Sequence, residues 1–421
     1  MSINKNVPEI RFKGTSGVWK SKDFGLCLEN IPSNTLSRAD LNYDAGLAKN
    51  IHYGDVLIKF GEVLDVKNEI LPFITDNDIA KKLKRGVLKN GDIIIADAAE
   101  DKTVGKCTEL FNIDKQVVVS GLHTIAVRPK INFSSKYLGY YLNSAAYHDQ
   151  ILSLMQGTKV LSISKKSIQN TLVVFPSETK EQSQIGEYFY KLDSLINQHQ
   201  KKHDKLSSIK KGMLEKIFPK QGEAIPEIRF EEFSGDWEEK EFSKEVEFFS
   251  GLTYSPNDIQ KTGTLVIRSS NVKNGQLVQA DNVYVNPEVV NCNNVIKGDI
   301  AVVVRNGSRS LIGKHAQVTS CMDNTVIGAF MTGIRSTQSE FINALLDTNM
   351  FTAEVEKNLG ATINQITNGA FKNMIFMFPT EDEQYKIGQY FNKLDKIINQ
   401  HQQQITKLNN IKQACLVKMF V

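Results

Sequence analysis

Cysteine is scarce, five in 421 residues. Cys27, Cys107, Cys292, Cys321 and Cys415 lie far apart, with no C-x-x-C pair. That scatter argues against a structural zinc site, and a disulfide framework would be unusual in a cytosolic protein, so free thiols are expected. The seven histidines are equally dispersed, and no metal site is expected. Long apolar runs are missing as well. None approaches the ~20 residues of a membrane helix, and the opening M-S-I-N-K-N lacks the apolar core of a signal peptide, so a cytoplasmic protein with no membrane partner is expected. Phosphate-cradling loops are absent: Gly105-Lys106 and Gly313-Lys314 have no upstream glycine to complete G-x-x-x-x-G-K, and there is no G-x-G-x-x-G. H-E-x-x-H and G-x-S-x-G are lacking. Asn286-Pro287-Glu288 lacks the second proline and the aromatic of an N-P-P-Y amino-methyltransferase motif. The expectation is a chain with no catalytic residues and no cofactor of its own.

What is present is said twice. V-P-E-I-R-F…G-V-W, from Val7 to Trp19, returns as I-P-E-I-R-F…G-D-W from Ile225 to Trp237, an offset of 218. E-Q-x-x-I-G-x-Y-F-x-K-L-D-x-x-I-N-Q-H-Q begins at Glu181 and again at Glu383, an offset of 202. Units of that length are far longer than solenoid repeats and read as a duplicated domain, each copy a body followed by a helix. A chain of this length exceeds what one core usually serves. Hydrophobic content of 41% with 23% charged residues fits a globular protein. Net charge is +4 and the pI near 8.5, compatible with nucleic acid but not diagnostic of it. Glu238 and Lys240 resemble a fragment of a nuclease carboxylate–lysine site. The first copy has Lys20 and Lys22 there, which favours a solvated strand edge.

A helix is predicted from about Glu181 to Phe218, stopped by Pro219 and Gly222. Ile185, Phe189, Leu192, Ile196, Leu206, Met213 and Ile217 follow steps of four and three. The second copy carries Ile387, Phe391, Leu394, Ile398, Ile405, Leu408, Cys415 and Met419. Pro176-Ser177-Glu178 and Pro379-Thr380-Glu381 supply the turn, the cap and a first-turn carboxylate. Two matching stripes in one chain imply each other: an intramolecular antiparallel coiled coil of about 36-residue helices, roughly 54 Å long. The alternative is that each stripe packs on its own body. His199 and His401 interrupt the stripe at the same place, as a residue that fixes register does.

The bodies, 1–178 and 221–380, read as mixed α/β, with the helices at 179–220 and 381–421. Strands are expected at Asp55 to Phe60, Asp92 to Ala96, Gln116 to Val119, Leu172 to Phe175, Leu265 to Arg268, Asp299 to Val304 and Met374 to Phe378. Helices are expected at Tyr137 to Leu154 and Phe341 to Leu359. The fold class is thus α+β: two similar domains joined by two long helices, pseudo-twofold symmetric. Between matched Gly-Asp and Gly-Lys landmarks the copies diverge, as two readers of different targets would.

DNA contacts are sought in those divergent loops. In the second body Arg305, Asn306, Ser308, Arg309, Ser310 and Lys314 follow a strand. Arginine can fork onto guanine and asparagine onto adenine, while serine and lysine suit phosphates. Ser269, Ser270 and Asn271, after Arg268, offer the same chemistry. In the first body the matching loop holds Asp97, Glu100, Asp101, Lys102, Thr103 and Lys106. Carboxylates there can accept from the cytosine amino group, although phosphate repels them. His123, Lys59, Lys67 and Arg128 are weaker candidates. Lys201, Lys202, Lys205, Lys210, Lys211, Lys216 and Lys220 make the first long helix basic. That is either a solvated face or an electrostatic contribution to DNA or partner binding. For each loop a plain polar turn is the alternative.

The order of these segments resembles a family, the specificity subunits of type I restriction–modification enzymes, over essentially the whole chain. P-S-E-T-K-E-Q-x-x-I-G and P-T-E-D-E-Q-x-x-I-G leading into K-L-D-x-x-I look like its spacer helices. G-D-I-I-I-A-D-A-A-E-D-K-T-V-G-K with S-G-L-H-T-I-A-V-R-P resembles one type of target-recognition domain. I-R-S-S-N-V-K-N-G with G-D-I-A-V-V-V-R-N-G-S-R-S-L-I-G-K resembles another. The resemblance implies two target-recognition domains, each reading half of an asymmetric bipartite site in double-stranded DNA. It implies two docked modification subunits carrying S-adenosylmethionine, and restriction subunits using ATP and Mg. The alternative is a DNA methyltransferase or nuclease with unrecognised catalytic motifs.

Overall fold

A computed structural model describes residues 6–360 and 364–421. Two compact units emerge: Met1–His199 with Gln403–Val421, and Gln200–Gln402. The divisions fall inside the two long helices, Thr179–Ile217 and Glu381–Lys418.

Each unit is built on a buried sheet, antiparallel throughout in the second unit and antiparallel in the first except for the parallel pairing of Val63–Asp65 with Cys107–Phe111. In the first its order is Leu28–Ile31, Thr124–Pro129, Ile93–Ala96, Cys107–Phe111, Val63–Asp65. In the second it is Glu247–Ser250, Met331–Arg335, Ile300–Val303, His315–Gln317. The run I-I-I-A has no polar face because both faces are covered. Ile93 and Ile95 enter the core shared with the long helices, while Ile94 and Ala96 enter a separate one. A second sheet in each unit contains one parallel pair: Lys49–Ile51 with Val118–Ser120, and Thr264–Ile267 with Thr325–Ile327.

The units share a frame of buried ion pairs. Arg128 grips Asp92 through two nitrogens at 2.8 and 2.6 Å, and Arg335 grips Asp299 at 2.8 and 2.7 Å. Both carboxylates are buried, and they hold the arginines more firmly protonated than usual by hydrogen bonding. Arg128 is therefore a frame residue and no DNA candidate. Arg11 and Arg229 clasp Glu181 and Glu383 in the first turn of each long helix, and the repeated R of P-E-I-R-F is explained by that bond.

Three sequence expectations are corrected. Asp55 to Phe60 forms no strand but part of a helix, Tyr53–Ile58, because His52 Nδ1 accepts from Gly54 N and Asp55 sits in the first turn. Tyr137 to Leu154 is two helices, Tyr137–Asn143 and Ala145–Leu152, broken at the extended Ser144. Phe341 to Leu359 likewise divides into Ser339–Leu346 and Asn349–Asn358, where Thr348 caps Phe351 N.

Within each unit the two long helices run antiparallel. In the first, Asp193 meets Lys412, Tyr188 touches Cys415 and Phe189 stacks on Phe420. In the second, Lys210 meets Asp395, and Phe218 lies against Phe391. The apolar stripe is buried against a body at Ile185, Phe189, Leu192, Ile387 and Phe391, buried outside the body cores at Ile405, and half-buried at Ile196, Leu206, Leu394, Ile398 and Leu408. Both packing alternatives thus hold along different parts of the stripe. His199 and His401 are half-buried on it.

A charge cluster beside the seam was not anticipated. Lys412 bonds Glu62 at 2.9 Å and Asp193 at 2.7 Å, and Asp193 also accepts from Tyr140 at 2.6 Å. Lys210 bonds Asp347 at 2.6 Å and Asp395 at 2.5 Å, with His315 beside Asp347 at 3.4 Å. Burial lowers both lysine pKa values, but the paired carboxylates outweigh it and hold each lysine charged. Desolvation pushes the Asp347 pKa up, yet His315 and Lys210 pull it down to about 2. Lys210 is accordingly removed from the solvated basic face, and Lys216 is paired with Glu227.

Candidate DNA-recognition face

The divergent loops sit on matched backbone frames. Gly105 N and Gly313 N donate back to Ala96 O and Val303 O, closing the loop after each buried strand. Asp97 N donates to His123 O, and Val304 N to Phe330 O. Gly121 N donates to Ile51 O, and Gly328 N to Ile267 O. Gly105 and Gly313 have φ values of 88° and 85°. A Cβ at Gly105 would also lie 2.9 Å from Ile151 Cδ1, so glycine is needed for the turn and for the packing beneath it.

In the second unit three segments are pinned together. Asn306 Nδ2 donates to Ser269 Oγ at 3.0 Å, its backbone N reaches Asn364 O at 3.2 Å, and Asn364 Nδ2 returns to Gly307 O at 3.0 Å. Asn306 Oδ1 accepts from Ser308 N at 2.9 Å, and Ser308 and Ser310 hydroxyls meet at 3.0 Å. The Arg305 guanidinium lies 4.9 Å above the ring of Phe330, itself 55% exposed. Arg309 and Lys314 are exposed. The structure thus brings Arg305, Asn306, Ser308, Ser310 and Ser269 together. Asn271 is different: it is buried, and its Nδ2 holds the chain at Val278 O, Ala280 O and Asn282 Oδ1. Its amide is committed to the fold and cannot also read a base. Ser270 Oγ is buried without a hydrogen-bond partner.

In the first unit Glu100, Asp101, Lys102 and Thr103 are exposed at the loop tip. Asp101 accepts from Thr103 N at 2.9 Å and Thr103 Oγ1 at 2.5 Å, which hold its carboxyl below the ordinary range. Lys106 turns inward instead. Its Nζ donates to Leu57 O at 2.7 Å, and burial lowers its pKa. Asp97 faces His123 Nδ1 at 3.2 Å. His123 has φ 53°, a left-handed conformation costing about 1–3 kcal/mol outside glycine, so the frame holds it there. Tyr53 packs edge-on to His123 at 5.3 Å and tilts against His52 at 4.6 Å. Burial, then the Arg38 charge, lowers the His52 pKa, which keeps its Nδ1 free to accept from Gly54. Lys59 is paired with Glu69, while Lys67 is exposed.

Sequence reasoning missed Tyr53, Phe330 and Asn364. The available signal was positional: with an offset of 207, His123 falls on Phe330 and Asp97 on Val304. Among the described residues no group of His, Cys, Asp and Glu could hold a metal ion, and no helix is long and apolar enough to cross a membrane.

Two similar frames displaying unlike loops define a duplicated recognition protein, and comparison with known proteins specifies which. The model of the type I restriction modification DNA specificity domain matches residues 50–208 and again 234–410. The type I restriction enzyme MjaVIII specificity subunit of Methanocaldococcus jannaschii is 23% identical over 308 residues, 69% of this chain and 70% of the relative. The putative type I restriction enzyme MjaX specificity subunit of the same organism is 24% identical over 365 residues, 81% and 77% respectively. The crystal structure of the S subunit of a type I restriction-modification system from M. genitalium shares the fold, with a TM-score of 0.63 at 14% identity over 98% of this chain and 99% of that one. The chain belongs to the type I restriction–modification DNA-specificity family. It is a non-catalytic specificity subunit carrying the domain twice.

Proposed function

We propose that the bodies at 1–178 and 221–380 each read one half of an asymmetric bipartite site in double-stranded DNA, with the helices at 179–220 and 381–421 setting the spacing. The observation that carries this is the equivalence of the frames against the unlikeness of the loops. Arg128–Asp92 and Arg335–Asp299 are the same bond at the start of matching strands, whereas the loops that follow those strands present Asp97, Glu100 and Asp101 in one body and Arg305 and Arg309 in the other. A frame that varies only its display suits two targets of different sequence. In this reading two modification subunits dock on the chain and bring S-adenosylmethionine. Restriction subunits add ATP- and Mg-dependent steps, and the complex acts in the cytoplasm on cellular DNA.

The test is methylome sequencing of cells expressing the chain with its modification subunit. One bipartite motif with two fixed halves is expected, and the rigorously purified chain alone transfers no methyl group. Methylation by the chain alone, or methylation without a motif, defeats the reading. Arg305→Ala is expected to cost about 1–3 kcal/mol of discrimination at one position of the second half-site, as loss of a guanine fork does. An equal loss on every sequence, with a shallower salt dependence, would assign Arg305 to phosphate instead.

A further inference from the structure

The two hydrogen-bond frames carry three side chains per unit at matching positions. The residue two after the parallel strand's Ile51 or Ile267 is Tyr53 in one unit and Ser269 in the other. The residue whose carbonyl accepts from Asp97 N or Val304 N is His123 or Phe330. The residue bridged to Ser162 or Gln365 is Ala98 or Arg305. Matching positions hold different chemistry, and one pair touches in each unit: Tyr53 meets His123 in the first, and Arg305 lies over Phe330 in the second.

We propose that this triplet sets base specificity, and that in the first unit His123 reads an exocyclic amino group, of adenine or cytosine, through Nε2. The proposal rests on the reading of each body as a half-site reader. Its chemistry follows from Asp97. A carboxylate accepts only, so the 3.2 Å contact places the proton of the neutral ring on Nδ1 and leaves Nε2 as an acceptor. The ring is half exposed, with Tyr53 edge-on behind it limiting its rotation. An acceptor on a backbone held by Asp97 N suits the donors that adenine N6 and cytosine N4 present in the major groove and rejects the acceptors of guanine O6 and thymine O4. In the second unit the same backbone position holds Phe330, which has no such acceptor. Its ring instead carries the flat guanidinium of Arg305, a donor pair for guanine O6 and N7. The two half-sites are therefore read with opposite hydrogen-bond polarity from one scaffold.

The experiment uses the full complex with modification subunits. Methylation rates are measured on oligonucleotides carrying every single-base change of the wild-type motif, for His123→Ala, His123→Phe and Phe330→Ala. His123→Ala and His123→Phe are expected to reduce discrimination by about 10- to 100-fold at one A or C of the first half-site, leaving the second half-site profile unchanged. Phe330→Ala is expected to relax one G of the second half-site only. Thermal melting within a few degrees of wild type identifies folded variants. Should His123→Ala fail to fold, His123→Gln, which keeps an acceptor at similar reach, supplies the comparison and is expected to retain the preference. Unchanged base profiles in folded His123 variants overturn the proposal while leaving the half-site reading intact, and so does a uniform loss on all sequences. If the wild-type complex itself shows no bipartite motif, the half-site reading fails before the variants are considered.

Discussion

Lys412→Ala is expected to lower the unfolding free energy by about 3–5 kcal/mol, and Lys210→Ala by a smaller amount, because His315 stays within 3.4 Å of Asp347. Each lysine bridges two carboxylates, Glu62 and Asp193 for Lys412, Asp347 and Asp395 for Lys210, with His315 also beside Asp347 in the second cluster. Removal of Lys412 strands Glu62 and Asp193, which are only partly exposed, and this costs more than the intact cluster contributes over an apolar equivalent. Because the carboxylates raise the lysine pKa values, this stability is fully present below the ordinary lysine value and is lost only as pH rises above it. Urea unfolding at neutral pH reads the effect. Lys211→Ala, one residue away on the exposed face, should shift stability by no more than about 0.5 kcal/mol. In a double-mutant cycle, Lys412→Met with Asp193→Asn should cost less than the two changes summed, since Asn still accepts from Tyr140. A Lys412→Ala loss below about 1 kcal/mol would return the cluster to the class of solvated surface pairs.

Those clusters show where sequence reading stops. Lys210 and Lys412 stand 202 residues apart, as do Asp193 and Asp395, so the duplication carried the signal. A lysine within a basic helix reads as solvated until the partner across the seam is known, and that partner is distant in sequence. The long helices themselves were legible because the apolar stripe is local and, apart from His199 and His401, regular, while the bodies' short elements were less so. V-L-I within Tyr53–Ile58 fits a strand or a helix turn, and the capping bond from Gly54 N to His52 decided it. Tyr137 to Leu154 reads as one helix because Ser144 is no strong breaker. The candidate site was half legible. Arg305, Asn306 and Ser308 declare themselves by type, and the loop after each Gly-Asp strand was found. Asn271 declares itself equally well but is committed to the carbonyls around it. Phe330 and Tyr53 gave no sign, since aromatic residues beside strands are ordinarily core.

Exchange of residues 221–380 for the corresponding body of another specificity subunit is expected to replace one half of the methylated motif completely and leave the other half unaltered. The frame explains why the exchange can succeed and where it can fail. Several ties join this body to helix residues outside the exchanged segment, and the most buried of them set its seat. Arg229 clasps Glu383, Asp347 bonds Lys210, and Trp237 and Phe341 pack on Phe218. A donor body that keeps an arginine, an acid and the two aromatics at these places retains its seat. One that lacks the acid leaves Lys210 only Asp395 and is expected to lose stability, which unfolding measurements detect before any motif is read. With the ties kept, the incoming loops are the only change presented to DNA, so methylome sequencing should show new bases on one side of the unread spacer and the original bases on the other. Alteration of both halves by a stably folded chimera would mean that each half-site is read jointly by the two bodies, and modular recognition would have to be abandoned.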